Sequence, residues 1–173
     1  MRSDFERYVE ARTGALLRLA YLLTGDRHLA EDLVQEVLGR AHRRWGHIQR
    51  AENPHAYVRR MIVNQHISWR RRRSASEIPL APTAVPDRSF AATDDPVLQR
   101  DVTWRALQRL PHRQRAVLVL RYYEDLTDAE IALTLNAAVG TVRSLAARAF
   151  ARLRQDPSLA DLDTHPITTQ EIR

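Results

Sequence analysis

The residues whose types and spacing point most directly to a chemical role lie at 126–154, where two helical patterns meet at a tight turn. Thr127 and Glu130 form a capping-box motif that begins the first helix. Asn136 interrupts the apolar period, and asparagine is the residue other than glycine best suited to a left-handed turn. The second helix carries polar and basic residues outside its apolar stripe: Thr141, Arg143, Ser144 and Arg148. This pattern predicts a helix-turn-helix whose second helix enters the DNA major groove. An ordinary helical hairpin with a basic exterior is the alternative.

Charge is a second indication of a nucleic-acid partner. The 173-residue chain has a formal net charge of +6, and all 27 of its basic residues are arginines. Residues 1–75 carry 15 Arg against 8 acidic residues, and residues 101–156 carry 9 against 6, with a net acidic stretch between them. Two separate basic blocks favour two nucleic-acid contacts on one chain. A solvated basic surface without a partner is the alternative.

Several functional classes are excluded by what the sequence lacks. It has no cysteine, so neither a disulfide framework nor a thiolate metal site can form. Its histidines do not follow metal-ligand spacing, and it has neither a Gly-rich phosphate loop nor a nucleophile with a matching base. No apolar run approaches the ~20 residues of a transmembrane helix, and a charged segment follows Met1. We therefore expect no enzyme activity, no cofactor, no membrane insertion and a cytoplasmic location.

An acidic surface is predicted on the second helix of the N-terminal block. Helical patterns cover residues 4–23 and 27–45, with Asp26 as a candidate N-cap between them. In the second pattern the apolar residues fall on one side, and the opposite arc carries Glu31, Asp32, Gln35 and Glu36. An acidic arc on a basic chain is unsuited to DNA. From the residues alone, it either contacts a basic protein surface or is simply solvated.

A long basic helix follows a loop at 46–53. Asn53 is a candidate N-cap and Pro54 suits the first turn of this helix, which extends to about residue 73. One flank carries Arg59, His66 and Arg70, and the other carries Arg60, Asn64 and Arg71. This arrangement favours contact with a DNA backbone, with Asn64 and His66 in reach of bases. Trp69 is expected in the core rather than as a stacking platform.

The rest of the chain divides into a spacer, a helical block and a tail. Residues 76–100 contain four prolines and no helical period, which predicts a flexible linker. Helical patterns at 101–110 and 111–123 precede the helix-turn-helix, and residues 157–173 lack periodicity and are expected to form a flexible tail. The predicted fold is all-α, with two small, independently packed helical domains at 1–75 and 101–156.

The order and spacing of five motifs resemble one protein family. They are DLVQEV at 32–37, NPHAYVRRMIVN at 53–64, ISWRRRR at 67–73, LPHRQRAVLVLRYYEDL at 110–126 and VGTVRSLAARAFARLR at 139–154. Together they resemble the extracytoplasmic-function (ECF) sigma factors of the sigma-70 superfamily, in a form common in actinobacteria. The resemblance implies a protein that joins core RNA polymerase and directs it to promoters. Residues 1–75 would be region two, which reads and melts the −10 element, and residues 101–156 would be region four, which reads the double-stranded −35 element.

The resemblance also assigns roles residue by residue. It implies polymerase docking for Asp32, Gln35 and Glu36, which favours a protein contact over a solvated arc. It implies −10 DNA contacts for the basic flanks of the long helix, at Arg59, Arg60, Asn64, Arg70 and Arg71, and capture of a flipped base by the loop at 46–53. It implies −35 contacts for Thr141, Arg143, Ser144 and Arg148. A separate anti-sigma factor is a further partner that the resemblance suggests.

Four positions depart from the family pattern. Asn136 and Ala138 replace the turn Gly and Ser that are common there, which alters the turn and weakens the cap of the second helix. Leu145 stands where a polar reader is usual, so it either packs inward or contacts a thymine methyl group. Ser68 replaces a frequent Asp. A one-component helix-turn-helix regulator is the alternative function, although residues 1–75 offer a basic DNA-binding helix where such a regulator needs a sensing domain.

Overall fold

The computed structural model describes residues 3–76 and 102–160, and every regular element within these two ranges is helical. The all-α class predicted from the sequence is therefore confirmed. The first range contains α1 (Asp4–Thr24), α2 (Arg27–Arg43), α3 (Trp45–Ile48) and α4 (Pro54–Ser76). The second contains α5 (Val102–Arg109), α6 (His112–Leu118), a π-helical turn (Val119–Tyr123) that continues α6, α7 (Asp128–Leu135), α8 (Val139–Arg154) and α9 (Pro157–Ala160).

Three predicted N-caps are present. An Asp26 carboxylate oxygen and the Asn53 side-chain oxygen each accept a backbone N–H three residues further on, both at 2.9 Å. Thr127 and Glu130 form both hydrogen bonds of the capping box. The Glu130 N–H donates to the Thr127 hydroxyl at 3.3 Å, and the Thr127 N–H donates to the Glu130 carboxylate at 2.8 Å. These caps satisfy backbone donors that the first turn of a helix cannot pair internally, and they fix where α2, α4 and α7 begin.

Some predicted boundaries were wrong. The loop expected at 46–53 includes most of the short helix α3, and α4 extends to Ser76 instead of residue 73. The first residues of the predicted flexible tail form α9. Its start is anchored because both Asp156 carboxylate oxygens accept hydrogen bonds from Arg109 at 3.0 Å. Residues 77–100 of the predicted linker and 161–173 of the tail lie outside the described residues.

The two predicted helical domains are present, and buried side chains from both belong to one contiguous hydrophobic cluster. Leu16 and Leu23 of α1 and Ile62 of α4 belong to the same buried cluster as Leu120 and Ile131 of the C-terminal block. All five side chains are fully buried, and burying a side chain of this size stabilises a fold by about 1.5–3 kcal/mol. Apolar periodicity marked these faces as buried, but it did not reveal that part of each face packs on the other block.

Polar side chains join the blocks around this core. Arg115 of α6 donates to the Leu23 carbonyl at 2.8 Å, and Gln108 of α5 donates to the Leu22 carbonyl at 3.1 Å. Gly25 ends α1 with φ +73°, and a Cβ there would lie 2.3 Å from the Gln108 side chain. The left-handed backbone favours glycine here, and a larger residue would also displace the Gln108 side chain.

The turn between α7 and α8 depends on Asn136. Its φ of 48° and ψ of 54° place it in the left-handed region. The backbone N–H of the next residue, Ala137, donates to the Ala132 carbonyl at 2.9 Å. Left-handed backbone is costly for side chains that lack the local hydrogen bonding of asparagine or the freedom of glycine. Asn136 therefore supplies the left-handed residue that this turn requires.

We predict that Asn136→Ala lowers the free energy of unfolding by about 1 kcal/mol, because alanine is strained at a positive φ. Asn136→Gly is the matched control and should be at least as stable as the wild type, since glycine adopts this conformation freely. Urea denaturation of the full chain would give both values as midpoint shifts at constant slope. Equal stability of the two variants would contradict the assignment.

Candidate nucleic-acid interface

The predicted readers on α8 are exposed to solvent. The side chains of Val142, Ala146 and Ala149 are buried on one side of the helix, and the predicted readers are exposed on the other: Thr141, Arg143, Ser144 and Arg148. Leu145, one of the departures from the family pattern, is half-buried and packs against the core. It therefore packs inward, as one of the two alternatives proposed. A further departure, Ala138, occupies the N-cap of α8 and supplies no side-chain hydrogen bond.

One carboxylate orients an arginine at this surface. Asp128, at the start of α7, forms an ion pair with Arg121 and accepts a hydrogen bond from the Nε of Arg143 at 3.4 Å. The hydrogen bond from Arg121, helped by Arg143, lowers the pKa of Asp128. Asp128 is therefore ionised at neutral pH and holds Arg143 against the neighbouring helix, while the Arg143 side chain remains 72% exposed.

One flank of α4 opens on a basic pocket. Arg60 and Asn64 line an open pocket of about 490 Å³ together with Arg40, Arg43, Arg44, Tyr57, Met61 and Gln65. The three arginines from the end of α2 were not among the predicted contact residues. In the sequence these arginines form the cluster RAHRR at 40–44, which was assigned only to the end of the preceding helical pattern. The pocket combines several guanidinium groups with one aromatic ring, which suits phosphate and an unstacked base.

The other flank of α4 faces the C-terminal block. Arg59 forms an ion pair with Glu124 at 2.9 Å, and their side chains are only 14% and 13% exposed. Arg70 is half-buried, and His66 is 2% exposed. The expectation that His66 could reach a base was wrong for this arrangement. The structure therefore places the predicted −10 residues on two surfaces, with Arg60, Asn64 and Arg71 exposed and Arg59 and Arg70 turned toward the second block.

The acidic arc lies on the exposed side of α2. Asp32, Gln35 and Glu36 are all exposed, but Glu36 also has partners within the fold. It accepts hydrogen bonds from the Gln65 amide at 2.7 Å and the Trp69 indole at 3.2 Å, both on α4. Trp69 packs against the core, as expected. Glu36 therefore contributes to the packing of α2 on α4 as well as to the charge of the surface.

The described ranges contain neither a cluster of acidic, histidine or cysteine side chains arranged to hold a metal ion nor a helix long and apolar enough to cross a bilayer.

Comparison with known proteins defines the family. The model for Sigma-70 region 2 matches residues 8–76, and that for Sigma-70, region 4 matches residues 106–155. The RNA polymerase sigma-E factor of Streptomyces avermitilis is 36% identical over 168 residues, which cover 97% of this chain and 93% of that protein. The ECF RNA polymerase sigma factor SigM of Mycobacterium tuberculosis is 33% identical over 156 residues, with coverages of 88% and 76%.

A solved structure has the same fold. The sigma factor RpoE from Bartonella quintana, in complex with the anti-sigma factor NepR, aligns with a TM-score of 0.66 at 24% identity and covers 92% of this chain and 98% of its own. Together with the two region matches, these similarities define a helical sigma factor of the sigma-70 class. The chain belongs to the ECF RNA polymerase sigma factors, in a form like those of actinobacteria, which direct promoter-specific initiation of transcription.

Two histidines face each other between α4 and α6. The rings of His66 and His112 are 6.4 Å apart, and the Nε2 of His66 is buried without a hydrogen-bond partner. Burial, reinforced by the positive charges of Arg115 and Arg70, lowers the pKa of His66 to about 3. Burial and the same two arginines also lower the pKa of His112. Both imidazoles are therefore neutral at pH 7, and the packing of the blocks disfavours their protonation.

We predict that mild acid destabilises the protein through these histidines. Exposure returns His66 to an ordinary pKa of about 6.5, so the unfolded chain binds more protons than the folded one and stability falls as the pH falls. Between about pH 7.5 and about pH 5.5, His66 should contribute a loss of roughly 1 kcal/mol in the free energy of unfolding. Urea denaturation at several pH values measures this loss. His66→Gln should flatten the dependence, whereas exposed His28→Gln should not. A slope unchanged by His66→Gln would contradict the prediction.

Proposed function

We propose that the two basic surfaces divide promoter recognition between them, with the α4 surface acting on the −10 element and the α8 surface on the −35 element. In this proposal residues 1–75 act as region two, residues 101–156 act as region four, and residues 76–100 link them. The observation that carries the proposal is the exposed polar and basic face of α8, on a helix that follows a capped α7 through a left-handed turn. This is the geometry that places a recognition helix in a major groove.

The −35 contact is proposed to be direct readout of base edges. Arg148 and Arg143 project from α8 with Thr141 and Ser144 nearby, so guanidinium and hydroxyl groups are available to hydrogen-bond to bases and phosphates. The pairing of Arg143 with Asp128 restricts its rotamers before DNA arrives, which lowers the entropy lost on binding. Leu145 packs inward, so the chain reads its −35 element without the polar side chain that is usual at this position.

The −10 contact is proposed to involve bases that have left the stack. The pocket beside Arg60 and Asn64 offers the Tyr57 ring as a stacking partner and the arginines of α2 as phosphate contacts. Arg71 extends the basic surface along α4, whereas Arg59 and Arg70 lie on the opposite flank, which faces the second block in this structure. Binding energy gained by the captured strand offsets the cost of unstacking and unpairing the duplex. The protein melts DNA in this way without bond chemistry of its own.

The acidic surface is proposed to dock on core RNA polymerase. Asp32 and Gln35 are exposed, and Glu36 adds negative charge beside them. Complementary charge favours fast and specific association with a basic protein surface. We further propose that the protein acts in the cytoplasm, where this polymerase would be, and that any anti-sigma factor is a separate protein, as NepR is in the complex with RpoE. A DNA-binding regulator that acts without polymerase is the second candidate.

Run-off transcription tests the proposal as a whole. Core polymerase supplied with this chain should initiate from a subset of promoter fragments taken from the same genome, and core polymerase alone should not. Binding of the same fragments by the chain without polymerase, modulated by a small effector and without any transcription, would favour the second candidate instead.

We predict that Asp32→Arg combined with Gln35→Arg weakens binding to core polymerase at least about tenfold, because it places two cations where an acidic surface meets a basic partner. Glu36 is better changed to Gln than to Arg, since the amide oxygen can still accept a hydrogen bond from Gln65. Glu52→Arg, an acid-to-base change at an exposed loop position, is the control. Co-purification with core polymerase and circular dichroism measure binding and fold. Undiminished binding with normal helicity would contradict the docking assignment.

We predict that Arg148→Ala and Arg73→Ala have different effects on DNA binding. Loss of a base-reading arginine should cost about 1–3 kcal/mol and relax sequence choice at one −35 position. Loss of a phosphate contact at the end of α4 should weaken binding to all sequences alike and reduce the salt slope by roughly one unit. Holoenzyme binding to a randomised −35 library at several salt concentrations separates the two effects. A −35 profile unchanged by Arg148→Ala would show that this arginine is not a reader.

A further inference from the structure

A short chain of polar side chains connects α2 and α4 at the edge of the basic pocket. The Nη2 of Arg40 donates to the side-chain oxygen of Gln65 at 2.7 Å, and the Gln65 amide nitrogen donates to the Glu36 carboxylate at 2.7 Å. The Trp69 indole donates to the other oxygen of that carboxylate at 3.2 Å. Arg40 and Gln65 both line the pocket. The polar chain therefore joins the acidic surface of α2 to the wall of the basic pocket.

The orientation of the Gln65 amide is fixed by its two neighbours. A carboxylate only accepts hydrogen bonds, and a guanidinium only donates them. The Gln65 nitrogen must therefore face Glu36 and the Gln65 oxygen must face Arg40, because the reversed amide would set oxygen against oxygen and N–H against N–H. Gln65 is 7% exposed, so solvent offers its amide few other partners. The amide thus has a single favourable orientation.

The same amide keeps two opposite charges apart. Glu36 and Arg40 are one helical turn apart, the spacing at which an acid and a base on one helix pair directly. Here the Arg40 Nη2 is 3.9 Å from the Glu36 carboxylate, which is beyond hydrogen-bond distance. The guanidinium instead bonds to the neutral oxygen of Gln65. Gln65 therefore stands between a cation and the anion that would otherwise neutralise it.

Arg40 remains available to a ligand in the pocket. Its side chain is 38% exposed, and a guanidinium has five N–H donors, of which a neutral acceptor uses one without cancelling the charge. A phosphate can accept charge-assisted hydrogen bonds from the others. The exposed Arg43, Arg44 and Arg60 line the same pocket. Arg40 differs from these three because its contact with Gln65 sets its direction.

We propose that Gln65 is a positioning residue for capture of the −10 strand: its amide separates Arg40 from Glu36, so that the Arg40 guanidinium keeps its charge for a phosphate of the single strand in the basic pocket. This inference rests on the proposed role of that pocket in binding the −10 element. Restriction of Arg40 before DNA arrives also lowers the entropy lost on binding. Glu36 acts on DNA indirectly, because it fixes the amide that holds Arg40.

An exchange of two side chains tests the proposal. Glu36→Gln combined with Gln65→Glu keeps the net charge and allows each hydrogen bond of the polar chain to form again, but it places a carboxylate directly on Arg40. The probe is a fluorescent single-stranded oligonucleotide with the −10 non-template sequence of a promoter on which the holoenzyme initiates. Affinity of the full chain should fall about fivefold at about 0.1 M salt, and the salt slope should fall by roughly 0.7, the loss of one phosphate contact on a single strand.

Wild-type affinity and salt slope in the exchanged chain would overturn the proposal, because a purely structural network is equally satisfied in both forms. If circular dichroism shows that the exchanged chain has lost helicity, Gln65→Met replaces it. That change should allow Arg40 to pair with Glu36 and should reduce the salt slope equally, and adding Glu36→Gln should restore the slope. Failure of Glu36→Gln to restore it would likewise overturn the proposal.

Combination with Arg40→Ala shows whether Gln65 acts through Arg40. Arg40→Ala alone should reproduce the loss of the exchanged chain, and the exchange should add nothing to it. Arg60→Ala, on the same pocket, is the matched control, and its loss should add to that of the exchange because the two act independently. Additive losses from the exchange and Arg40→Ala would overturn the proposal. Strand binding unchanged by both Arg40→Ala and Arg60→Ala would instead count against the proposed function of the pocket.

Discussion

The buried guanidinium of Arg115 is the interaction on which the arrangement of the two blocks depends. Moving an arginine out of water is costly, and here burial lowers its pKa to about 10, so it still carries its charge at neutral pH. That charge is stable only because carbonyl groups from both blocks surround it. Separation of the blocks would leave the Leu22 and Leu23 carbonyls at the end of α1 without these donors, and Arg115 without one of its acceptors. The core, the caps and the ion pair therefore form a single cooperative contact.

The sequence predicted the elements well because their signals are local. The caps at Asp26, Asn53 and Thr127 and the left-handed turn at Asn136 depend on residues within one turn of the helix they start or end. The short helix α3 and the helix α9 escaped because four residues are too few to show a period. The extent of α4 beyond the basic run was missed because helix ends are poorly determined by pattern alone.

The packing of the blocks could not be predicted in the same way. Periodicity shows that a face is buried but not what buries it, and in the sequence the faces that carry Ile62 and Leu120 have the pattern of ordinary core stripes. Gln108, Arg115 and Glu124 look like exposed helix residues in the sequence, because a single polar residue carries no period. The exposed face of α8 was predictable because its buried side is regular, whereas the pocket beside α4 was only half predicted because its other wall comes from the end of α2.

The π-helical turn at Val119–Tyr123 has a consequence for how this chain can vary. Its backbone bond from the Glu124 N–H to the Val119 carbonyl spans five residues, so the turn holds one residue more than an α-helix would. Each residue of a helix advances the side-chain direction by about 100°, and the extra residue sets the direction in which Tyr123 and Glu124 leave the helix. Deletion of one codon in this turn would restore regular helix and rotate both side chains away from their partners. A single in-frame deletion, without any substitution at an interface residue, would therefore remove the contacts of Tyr123 with Arg18 and of Glu124 with Arg59.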